Sequence, residues 1–129
     1  MPKGNVMLAV TSLLAIILLS MHFTGDILRG IEGGGISNLV GVVILVVWLY
    51  ATLVASDRRW GRVVILLGAL FAAAMPVLHM RGAGVGGEFA KSSGAFLFIW
   101  TLYALGVTGS FAFILSLRGM LGARSAEPR

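Results

Sequence analysis

Apolar residues fall in four long runs, at residues 6–23, 39–55, 63–80 and 95–117, and polar positions are confined to the joints between them and to the two ends. Each run is about 17 to 23 residues long, close to the ~20 helical residues that cross a hydrocarbon core about 30 Å thick. Barrel strands alternate apolar and polar positions over about ten residues and close into a ring of about eight or more, and neither feature is present here. In hydrocarbon a continuous apolar run has to satisfy its own backbone groups, which a helix does. The pattern predicts an all-α integral membrane protein, a single domain over residues 1–129 with four transmembrane helices in an up-down-up-down bundle.

Composition sharpens this picture. The chain is 58% hydrophobic and 12% charged, with a mean hydropathy of +0.98, far from the composition of a soluble domain. The first run follows Lys3 but is long, and Ser20-Met21-His22-Phe23 after it lacks small residues in A-x-A spacing. It therefore reads as a retained helix and not a cleaved signal peptide. The absence of cysteine removes disulfides, iron–sulfur clusters, thiolate zinc sites and cysteine nucleophiles.

The net charge of +5 does not imply nucleic acid, because the basic residues sit at span ends and not along one polar face. Membrane lipid is the expected partner. Lys3, Arg58, Arg59, Arg62, Arg118, Arg124 and Arg129 fall on one side of the spans and Arg29, Arg81 and Lys91 on the other. This asymmetry predicts an N-in, C-in orientation in a plasma membrane of bacterial type. The inner joint, residues 56–62, is short enough to make helices two and three antiparallel neighbours. The outer joints, residues 25–35 and 81–88, are rich in glycine and read as flexible linkers. The tail after Leu117 is expected to fray.

Two histidines supply the candidate chemistry. His22 ends the first run and His79 the third, so an up-down-up-down bundle places both at one depth on the outer side. A ligating side chain at the edge of hydrocarbon must find a partner. Thr11, Ala15, Leu18, His22 and Asp26 share one stripe of helix one, and Gly68, Ala72, Met75 and His79 share one of helix three. Helices one and three lie diagonally across such a bundle, which turns the imidazoles toward each other.

Three chemistries fit the pair. Haem b can take axial ligands from His22 and His79. Copper suits imidazole with the thioether of Met75, one turn before His79, whereas Met21 and Met80 lie about 100° round the helix from their histidines. A harder metal, or proton handling, suits His22 with Asp26 at i, i+4, joined by Glu32 or Glu88 from the loops. Beside these stands a plainer use, in which histidines at span ends bond to headgroups, water or freed carbonyls. A shared centre is expected to hold the ligating nitrogens about 4 to 5 Å apart.

Other features point to packing. Pro76 is expected to kink helix three. Ala104-x-x-x-Thr108 and Gly106-x-x-x-Ser110 suit close helix contact, either internal or with a second subunit. Trp100 and Tyr103, and Trp48 and Tyr50, suit interfacial belts. No Ser-His-Asp arrangement is present, no catalytic residue emerges, and no broken-helix pair or intramembrane charge suggests a transporter. The leading expectation is a non-enzymatic auxiliary or assembly component, packing in the bilayer against itself or a larger membrane complex. The alternative is a haem b or copper site held by His22 and His79 for electron transfer or metal handling.

Overall fold

The computed structural model describes residues 3–30, 32–33, 35–79 and 93–125. The second glycine-rich joint, together with Met80, Arg81, Glu88, Lys91 and Arg129, lies outside the described residues. The rest is all-helical: α1 (Lys3–Leu28), a short 3-10 turn (Ile36–Asn38), α2 (Leu39–Val54), α3 (Arg59–His79) and α4 (Ser93–Ser125). Four helices are long and apolar enough to cross a membrane, one for each apolar run.

Boundaries differ from the sequence expectation at two places. Residues 25–28, assigned to the first outer joint, continue α1, and this extra turn carries Asp26. The helix stops where Gly30 takes a φ of 70°, a left-handed conformation that glycine adopts without steric cost at a helix end. Residues 118–125, expected to fray, extend α4 to Ser125. Arg62 secures this turn, donating from Nη1 to the Gly119 carbonyl at 2.7 Å and from Nε to the Ser56 carbonyl at 3.0 Å, while the Ser116 hydroxyl donates to the Arg62 carbonyl at 2.9 Å.

The most extensive helix contact is between α3 and α4, followed by α1 with α4, while α2 packs on α1 and α3. The glycines of α4 explain the first contact. A Cβ at Gly109 would lie 2.6 Å from the Ala73 backbone nitrogen, and one at Gly106 would lie 2.5 Å from the Pro76 ring. Gly106 of the small-residue pattern, with Gly109 one turn on, thus meets α3 within the chain, as close helix packing requires.

A polar cluster joins α1 to α2 in the middle of the bundle. Trp48 Nε1 donates to Ser12 Oγ at 2.8 Å, Ser12 and Thr52 hydroxyls lie 2.7 Å apart, and Thr52 donates to the Trp48 carbonyl at 2.9 Å. Trp48 is therefore a core residue, 1% exposed, and not the belt residue that its position near a span end suggests. The reason is local: its indole lies over Gly68, where an added Cβ would come within 2.5 Å of the ring, and Ser12 satisfies its N–H. Tyr50 does stay exposed, stacked on Trp60 with ring centroids 6.2 Å apart. Trp100 and Tyr103 are also exposed.

Candidate metal centre

His22 and Asp26 stand one turn apart on the buried face of α1, and His79 is the last residue of α3. Helical spacing brings the first two together, because residues at i and i+4 lie on one face. The third comes from the packing of α3 near α1, at the end of the bundle opposite Arg62. His79 is oriented by its own helix: its Nδ1 lies 3.0 Å from the Met75 carbonyl oxygen. That carbonyl accepts only, so Nδ1 carries the proton, and in the neutral ring Nε2 presents a bare lone pair.

That lone pair is aimed at two other ligating atoms. His79 Nε2 lies 3.3 Å from His22 Nε2 and 3.5 Å from Asp26 Oδ2, and His22 Nε2 lies 3.4 Å from the same oxygen. The three atoms form a nearly equilateral triangle. A tetrahedral ion with bonds of about 2.0 to 2.1 Å places its ligands about 3.3 to 3.4 Å apart, and three such ligands leave one vertex open. Octahedral ligands at right angles would approach to about 3.0 Å at the same bond length. The expected spacing of 4 to 5 Å is not found: that distance suits ligands on opposite sides of an ion, whereas 3.3 to 3.5 Å matches the edge of a tetrahedron.

The surroundings hold the triangle in place. Phe98 of α4 lies against the His22 ring, centroids 4.9 Å apart, and 6.0 Å from that of His79. Arg29 places its guanidinium carbon 4.9 Å from the Phe98 ring centroid and donates to the Gly94 carbonyl, tying the end of α1 to the start of α4. His22 Nδ1 and Asp26 Oδ1 are buried without a protein partner. Both atoms belong to the cluster formed by His22, Asp26 and His79.

No protein-family model matches this sequence, and no curated protein or solved structure matches it either. The site therefore stands on its own geometry. His22, Asp26 and His79 converge on one point, and Met75 lines the adjoining cavity. Glu32 also lines that cavity, with its backbone N–H 3.3 Å from the Asp26 carbonyl. Met21 is exposed, in keeping with its position round the helix from His22. Thr11 does not join the buried stripe: its hydroxyl returns to the Met7 and Leu8 carbonyls, and Ser12 faces the core instead. Phe98 and Arg29 had no sequence signal as site residues, because nothing local links them to either histidine.

Proposed function

We propose that the chain is a multi-pass plasma-membrane protein, N-in and C-in, whose His22, Asp26 and His79 bind one divalent transition-metal ion of zinc type at the outer end of the bundle. The observation that carries this is the triangle of Nε2, Nε2 and Oδ2 at 3.3 to 3.5 Å. With His79 protonated at Nδ1, its Nε2 can only accept, and it converges with His22 Nε2 and Asp26 Oδ2 on one point where a cation would be held by all three atoms. Orientation follows from the concentration of Lys and Arg at the other end, and the exposed apolar helix faces fit lipid as the surrounding partner.

Zinc is favoured over the other two chemistries on geometry. Axial imidazoles on a haem iron stand about 4 Å apart, nitrogen to nitrogen, across the metal at bonds of ~2 Å, and the carboxylate of Asp26 has no place in that arrangement. Copper(I) would recruit the Met75 thioether in preference to Asp26.

The test is metal analysis and calorimetry on the detergent-purified protein. One equivalent of zinc is expected, lost in His22→Ala, His79→Ala and Asp26→Asn by more than the 10- to 100-fold typical of an outer-shell change. A folded wild-type protein that takes up no metal sinks the proposal and leaves the triangle as a His–Asp ion pair. A Soret band would instead establish the haem alternative.

A packing role as an auxiliary or assembly component is a second reading, supported by α2, of which only Trp48, Ala51 and Thr52 are buried. Its outward valines and leucines suit lipid, a second copy or a larger membrane complex. Native mass spectrometry of the protein extracted from its own membrane tests this: a lone monomer would count against it.

A further inference from the structure

We propose that the open vertex of this metal centre takes the oxyanion head of a single-chain amphiphile of the fatty-acid class, with its chain lying in the apolar cavity beside the ion. This rests on the metal-site reading and names what the site would bind.

A cavity of about 360 Å³ adjoins the triangle, walled by His22, Asp26 and His79 at one side. Leu19, Leu45, Ile44, Phe71 and Leu78 supply the apolar wall, so the site combines one polar focus with an aliphatic and aromatic chamber, the usual make-up of a small-molecule pocket. Ile44, Phe71 and Leu78 are also exposed on the outer faces of α2 and α3. In a bilayer these residues face the acyl chains, so an apolar body reaches the ion sideways from lipid.

Charge selects the head group. A divalent ion with Asp26, together with the opposite charges of Glu32 and Arg29 beside it, leaves one net positive charge at the site, which an anionic oxygen ligand at the fourth vertex would neutralise. Buried Asp26 Oδ1 has no protein donor, so it is free to accept from a water beside the head group.

Cobalt(II) substituted for zinc gives a visible spectrum that reports its coordination, and aceto- and hexanohydroxamate are probes with one head and two chain lengths. In lipid nanodiscs both should change the cobalt bands, the hexanoyl compound about tenfold or more tighter, since each buried methylene adds to apolar transfer. Ile44→Trp, which fills the cavity, should bring that ratio close to one. Leu78→Trp serves where the first variant does not load cobalt.

Absence of cobalt bands in the wild-type protein removes the metal site, and this inference with it. Bands that neither hydroxamate alters, or that both alter at equal concentration, overturn the amphiphile while leaving the metal site intact. A chain-length ratio that survives in the filled variants reflects partition into lipid and overturns it too.

Discussion

His79 is held from both sides of its ring. Nδ1 is committed to the Met75 carbonyl one turn back, and Nε2 is committed to the centre shared with His22 and Asp26. Such a backbone bond fixes tautomer and ring direction for a metal ligand. Because imidazole and carboxylate ligate in their deprotonated forms, protons compete with the metal for the same atoms, and metal affinity should be lower in acid than near neutral pH. Calorimetric titration from neutral pH into acid, as far as the protein stays folded, checks the sign, and affinity that rises toward acid would contradict it. Phe98→Ala removes the ring packed on His22 without touching a ligand, and should weaken zinc about 10-fold in the same assay. The His22 and Asp26 pairing was legible from i, i+4 spacing. Phe98 was not, since an aromatic in a distant helix carries no local mark of its neighbour.

At the level of the helices, small residues decide how close the axes come. Gly109 meets Ala73, Ala72 and Ala69 of α3, so Gly109→Leu must push backbone apart and should cost about 1 to 3 kcal/mol. Unfolding by denaturing detergent would show it as an earlier transition, and an unchanged midpoint would contradict the contact. Ser12 works differently, accepting from Trp48 and pairing with Thr52 between α1 and α2. Ser12→Ala should cost about 1 kcal/mol, in keeping with hydrogen bonds between membrane helices, and should alter the Trp48 fluorescence. The sequence marked the small-residue pattern of α4 but left its partner open, because a close-packing face looks the same whether it meets its own chain or another.

For the molecule as a whole, the bundle carries its apolar residues on the outside as well as the inside: ten of the sixteen α2 residues are large hydrophobics with exposed side chains other than Tyr50. Such a surface is suited to lipid. Reporter fusions at the C-terminus should act only on the cytoplasmic side, and an external C-terminus would overturn the N-in, C-in proposal and place the metal site inside. Zinc should also raise thermal stability, by about 2.7 kcal/mol at free metal 100-fold above Kd. His79→Ala should abolish this shift, which separates specific binding from general effects of the ion.

The sequence alone determined that there would be four apolar helices, since run length and the need to satisfy every backbone group leave no other element. It also determined that His22 and Asp26 share a face, because helical spacing is local. Tertiary structure decided what depends on distances between helices. It set the approach of His79 Nε2 to 3.3 Å from His22 Nε2, closer than the 4 to 5 Å expected for a shared centre. It also moved Trp48 from an interfacial belt into the core, over Gly68 and onto Ser12. The physical reason is that hydropathy fixes which segments enter an apolar medium, whereas the rotation and depth of each helix depend on the shapes of the side chains it meets.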